Sequence, residues 1–98
     1  MSRLTESEVK ERMSSVPGWT LEGDAIRRQF TFAGFPQAIA FAVRLAFDAE
    51  SADHHPDILI SYKRVTLTWT THSAGGLTAK DFDGATQSQA LGERMGGR

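Results

Sequence analysis

The sequence predicts an α+β fold: a four-stranded antiparallel sheet with three helices packed on one face, in the order helix, strand, strand, helix, strand, strand, helix. Two observations carry this. Runs at 25–32 and 65–71, where apolar residues alternate with polar ones, read as half-buried strands. Stretches opened by helix-start signals at Thr5, Pro36 and Thr78 flank and separate them. A chain of 98 residues, 40% hydrophobic and 23% charged, with no repeat and no linker, suits one domain over 1–98.

The first helix opens on Thr5-Glu6-Ser7-Glu8, a capping box with Thr5 as N-cap and Glu8 reaching back. Leu4 and Val9 are spaced as a hydrophobic staple, and Val9 and Met13 share a face. Pro17-Gly18 ends the element. Residues 19–21 form a short strand, and Glu22-Gly23-Asp24 turns into the stronger one at 25–32, where Ile26, Arg28, Phe30 and Phe32 share one parity. Arg27 and Arg28 read as solvated strand charges. Pro36 suits the first turn of the second helix. Along it Ile39, Val43 and Ala46 make one apolar stripe, with Phe41 and Leu45 on a neighbouring one, a surface wide enough to lie on a sheet. Pro56 disfavours helical geometry at His55, so this helix ends near Asp53 or His54.

Residues 57–62 and 65–71 form a second hairpin, although Lys63-Arg64 between them lacks an Asn-Gly type of turn signal. After a loop at 72–76, Thr78 caps the last helix, with Asp81 at its third position and Leu77 and Phe82 as staple. That helix runs to about Arg94, and Gly96, Gly97 and Arg98 read as a frayed tail. Such a sheet leaves its other face or an edge strand open to a second subunit.

Bulk properties exclude several roles. A net charge of -1 gives no electrostatic case for nucleic acid or an anionic membrane. The longest mostly apolar stretch, 38–49, contains Arg44 and Asp48 and is too short and too charged to span a bilayer. The polar start carries no signal-peptide core. Cysteine is absent, which removes disulfides, thiolate metal sites and a cysteine nucleophile, and fits a reducing compartment. A cytoplasmic protein is the expectation.

The chain has 3 histidines: His54, His55 and His72. Two are adjacent at a helix-to-strand junction. The third follows the strand that pairs with the one beginning just after Pro56. In a hairpin the start of one strand lies beside the end of the other, so the topology brings all of them together. Glu50 precedes His54 by four residues and shares its face if the helix persists, a position from which a carboxylate orients an imidazole. Asp53 and Asp57 flank the pair. Histidine is the side chain best suited to proton transfer near neutral pH. A dehydration needs one group to protonate the departing hydroxyl and another to take the proton from the adjacent nitrogen. Two histidines are able to do this, with a third group holding the substrate. The competing readings are chance proximity and a zinc site, since three imidazoles bind zinc; against zinc, no H-x-x-x-H pair lies on one helix. Trp69 shares parity with Val65 and Leu67 and reads as core or interface, whereas Trp19, after a turn, is more open to stacking on a flat heterocycle. Gly75-Gly76 reads as a tight turn rather than an anion cradle.

At these residues the sequence resembles the pterin-4a-carbinolamine dehydratases. The matching segments are E-S-A-D-H-H-P-D-I at 50–58, Tyr62, V-T-L-T-W-T-T-H ending at His72, and A-G-G-L-T-x-x-D ending at Asp81. P-G-W at 17–19 and F-x-F at 30–32 extend the likeness over nearly the whole chain. The resemblance implies conversion of a 4a-hydroxytetrahydropterin to the quinonoid dihydropterin, in recycling of tetrahydrobiopterin, with no metal and no organic cofactor. It implies His54 and His72 as the acid/base pair and His55 as the residue that binds and positions the pterin. Glu50 supports the histidines, and Trp19 and Asp57 join the substrate-binding residues. It also implies assembly through the sheet into a homodimer or homotetramer. Ile58 stands where some members carry tryptophan, so one pocket wall differs. The rival to the enzyme is a protein-binding module on the same fold, of the kind that serves as a dimerisation cofactor, with a His-based metalloprotein as the third reading.

Overall fold

In the computed structural model, which describes residues 2–98, the chain enters its first helix, α1 (Glu6–Met13), through the capping box expected from its sequence. Thr5 Oγ1 accepts the Glu8 N–H at 3.2 Å, and the Glu8 carboxylate accepts the Thr5 N–H at 2.9 Å. A hairpin follows, β1 (Thr20–Glu22) and β2 (Ala25–Thr31), paired Leu21 to Ile26. Next come α2 (Phe35–Ala52), β3 (Asp57–Ser61), β4 (Arg64–Trp69), a 3-10 turn at His72–Ala74 and α3 (Ala79–Arg94). The strands form one antiparallel sheet in the order β1-β2-β4-β3.

The sheet has one greasy face. Ile26 and Phe30 of β2 and Val65 and Leu67 of β4 are fully buried, and Phe41 and Leu45 of α2 and Ala85 and Leu91 of α3 lie over them in the same core. Each such Phe, Leu or Ile contributes roughly 1.5–3 kcal/mol on leaving water. The parity expected along β2 holds for Ile26, Phe30 and Phe32. Arg28, on the same side, is not simply solvated: it is half-buried, donates to Gln89 at 2.8 Å and lies 4.7 Å from the centroid of the Phe30 ring.

The structure corrects four expectations. The buried stripe of α2 is Ala38, Phe41, Ala42, Leu45 and Ala49, whereas Val43 and Ala46 face outward with Phe47. Aromatic and leucine side chains set which stripe turns inward when an Ala-rich helix is apolar nearly all round. The turn of the second hairpin is Tyr62-Lys63, one residue earlier than expected, because Tyr62 takes up the left-handed conformation (φ 54°) that the reversal needs. Residues 70 and 71 leave the strand to reach the 3-10 turn. The tail is not frayed: Arg98 exchanges two backbone hydrogen bonds with Thr31, at 2.8 and 2.9 Å, and the Gly97 N–H reaches Gly92 O at 2.7 Å.

Candidate active site

The site begins where α2 stops. The helix runs to Ala52, and Asp53 adopts the left-handed conformation (φ 52°, ψ 40°), closing the helix with its N–H on Ala49 O and Glu50 O. This single reversal redirects the two histidines that follow. Glu50 was expected to meet His54, one helical turn on. Because the helix has already ended, its carboxylate instead meets His55, Oε1 to Nε2 at 2.8 Å, in an exposed pair.

His54 turns inward. Its ring stacks on the indole of Trp69, centroids 5.4 Å apart and planes at 24°, and its Nε2 lies 2.6 Å from Oδ1 of Asp81. Asp81, at the N-terminus of α3, is fully buried. Its other oxygen, Oδ2, accepts the Thr71 hydroxyl at 2.7 Å and the Thr78 N–H at 2.9 Å. A buried carboxylate demands such a set of donors. A carboxylate oxygen only accepts, so His54 Nε2 carries the hydrogen of this bond, and Nδ1 is the ring nitrogen with a lone pair able to take up a proton. Beside His54 a cleft of about 220 Å³ opens between α2 and α3 over Trp69, with Leu45, Ala49, Lys80 and Gly84 in its walls; neither His55 nor His72 lines it.

His72 opens the exposed 3-10 turn directly after Thr71. The turn closes on Gly75, whose φ of 73° calls for glycine. Gly76 is buried because the Arg3 side chain lies over it, at 2.8 Å from where a Cβ would sit. Through Thr71 and Asp81 the segment bearing His72 is tied to His54. The histidines therefore share one corner of the molecule in three environments: His54 enclosed, His55 turned outward to Glu50, and His72 on a surface turn. Among the described residues no three His, Cys, Asp or Glu side chains converge as a metal-binding group.

Two expected substrate residues lie differently. Trp19 is buried against Phe30, edge to face at 6.2 Å, and its Nε1 donates to Gln89; it serves the core and does not line the cleft beside His54. Asp57 opens β3 opposite Thr68 and is exposed. Sequence reasoning read Asp81 as a helix cap and as the end of a matching segment, with no role in the site. Its place in a capping box was visible, but no signal in the sequence said that the same carboxylate would also receive an imidazole.

Known proteins similar to this chain in sequence and fold point to one family. The sequence profile of the pterin 4 alpha carbinolamine dehydratase family matches residues 2–91. A relative from Roseiflexus sp. (strain RS-1), provisionally named pterin-4-alpha-carbinolamine dehydratase, is 56% identical over 86 residues, 88% of this chain and 92% of its own. One from Chloroflexus aurantiacus, with the same provisional name, is 53% identical over 96 residues, 98% of this chain and 100% of its own. A crystal structure described as a transcriptional coactivator/pterin dehydratase from Brucella melitensis superposes with a TM-score of 0.87 at 40% identity, covering 92% of this chain and 98% of that one. A pterin dehydratase-like protein identified as a RuBisCO assembly factor in the alpha-carboxysome shares the fold alone, with a TM-score of 0.61 at 23% identity over 74% of this chain and 84% of that one. With a profile match over most of its length and relatives more than half identical, the chain belongs to the pterin-4-alpha-carbinolamine dehydratase family.

Proposed function

We propose that this protein dehydrates a 4a-hydroxytetrahydropterin to the quinonoid dihydropterin, with His54 and His72 as the acid/base pair. The reaction breaks the C4a–O bond as one imidazole protonates the departing hydroxyl. The other takes the proton of the neighbouring ring nitrogen, a C=N bond forms and water leaves. No electron is gained or lost, so the reading calls for no cofactor. His55, held by Glu50, positions the pterin. The observation that carries the reading is the His54–Asp81 pair, tied through Thr71 to the segment bearing His72, in a chain of this family. Well-placed proton transfer contributes roughly a hundred- to ten-thousand-fold. Purified protein is expected to speed the decay of chemically generated 4a-hydroxytetrahydropterin by a factor in that range over the His54→Ala, His72→Ala double variant. A wild-type rate no faster than that variant's sinks the reading and favours a binding module on the same fold.

The same reading includes self-association and a cytoplasmic setting. β3 is an edge strand bonded on one side only, and its Leu59 is 63% exposed. On α2, Val43 and Phe47 are 54% and 70% exposed. Apolar side chains this exposed on a sheet edge and on a helix suit contacts between copies, in a dimer through one surface or a tetramer through both. The absence of cysteine fits a reducing cytoplasm. Among the described residues no helix is long and apolar enough to cross a membrane.

A further inference from the structure

Thr71 is 7% exposed, and each of its polar atoms is committed. Its N–H donates to Gly76 O at 3.2 Å, and its carbonyl accepts from Ala74 N at 3.1 Å and Gly76 N at 3.3 Å. These bonds build the turn that carries His72. Its hydroxyl reaches the other way, to Asp81 Oδ2 at 2.7 Å and Thr78 Oγ1 at 2.9 Å. A hydroxyl has one hydrogen, and a carboxylate oxygen only accepts. The Thr71 hydrogen therefore goes to Asp81, and the Thr78 hydroxyl donates to Thr71. The result is a directed chain, Thr78 to Thr71 to Asp81, ending on the carboxylate that holds the His54 ring. Linked hydrogen bonds of this kind polarise one another in a buried setting.

The carboxylate needs that hold. With Oδ2 fixed by the Thr71 hydroxyl and the Thr78 N–H, Oδ1 faces His54 Nε2 in one orientation. Without the hydroxyl, Oδ2 keeps a single backbone donor and the carboxylate is free to twist, taking the imidazole with it. Small misplacements of a catalytic group carry large penalties in rate.

We propose that Thr71 is a positioning residue: one buried hydroxyl sets the orientation of His54 through Asp81 while its backbone anchors the turn bearing His72, so the two histidines are aligned by a single residue. The proposal rests on the dehydratase reading for its catalytic consequence, but not for its structural one.

The test compares Thr71→Val, which keeps shape and removes the hydroxyl, with Thr71→Ser, which restores it. In the carbinolamine assay T71V is expected to lower kcat roughly ten- to a hundredfold, the worth of a hydrogen bond to a charged group, with KM within about twofold. T71S is expected to recover most of the rate. On the intact protein, nitrogen-15 spectra of the imidazoles give a readout that lost stability alone does not move. His54 is expected to hold its hydrogen on Nε2 in the wild type and in T71S, and to show mixed tautomers in T71V. Should T71V fail to fold, T71C keeps a side chain of similar size with a much weaker donor and carries the same comparison. An unchanged kcat in T71V, unchanged His54 ring signals, or a rate that T71S does not restore overturns the proposal. If the wild type itself lacks dehydratase activity, the functional reading fails, and the ring spectra still decide whether Thr71 sets the imidazole.

Discussion

Asp81 gives one carboxylate oxygen to an imidazole and the other to its own helix terminus. Asp81→Asn preserves the shape but not the chemistry. The amide oxygen is able to keep Thr71 and Thr78, which turns the NH2 group toward His54. Nε2 then has to accept, and the ring hydrogen moves to Nδ1, the nitrogen that the proposed reaction uses. The expected result is a fall in kcat of about a hundredfold with the fold intact, checked by steady-state kinetics beside a melting curve. A wild-type rate in D81N removes the pair from the mechanism. That the segment carrying His72 would come near the end of α2 was legible in the sequence, because strand pairing decides which chain segments meet. Their partners were not. Glu50 stands four residues before His54 and five before His55, and the choice between them was made by Asp53 leaving the helix in a left-handed turn. An aspartate does not announce that conformation as a glycine does.

Helix starts were legible for a physical reason: a capping box is a local device whose partners lie within four residues. In α1 the Thr5 backbone N–H, and then its side chain, hold the Glu8 carboxyl below the ordinary carboxylate range, while burial opposes them weakly. A depressed carboxylate contributes stability above its unfolded value and loses it as pH falls through the folded one. Amide protection at the start of α1, corrected for the intrinsic exchange rate, is therefore expected to fall as pH drops through the folded value of Glu8, and protection that acid leaves unchanged contradicts this. The inner stripe of α2 and the tail at Arg98 were not legible, since both depend on residues remote in the chain. Removing Gly97 and Arg98 frees the N–H and carbonyl of Thr31 and is expected to cost about 1 kcal/mol, with faster exchange of the Thr31 amide. Between α3 and β4 the fit is tight. A Cβ on Gly84 would lie 2.8 Å from three atoms of the Trp69 indole. Gly84→Ala is expected to destabilise by about 1–3 kcal/mol in chemical denaturation, because the added methyl overlaps the indole and one of the two has to move.

The outward-facing apolar residues on α2 and β3 carry the proposed association between copies, which solution measurements test directly. Sedimentation is expected to give a dimer or tetramer mass for the wild type and a smaller species for Phe47→Asp with Leu59→Asp, each change removing roughly 1.5–3 kcal/mol of buried side chain from a contact. A monomeric wild type contradicts the assembly. The sequence suggested an exposed edge, but the apolar stripes read along α2 did not include Phe47, and only the packing of Leu45 inward pointed it to solvent.

The Trp69–Gly84 contact has an evolutionary corollary. A tryptophan under His54 is admissible only where the facing helix position has no side chain, so the two positions share one fixed allotment of volume. In related chains bulk is expected to migrate between them, a smaller aliphatic residue at 69 accompanying a larger one at 84. The surface on which the imidazole rests would then be inherited as a pair.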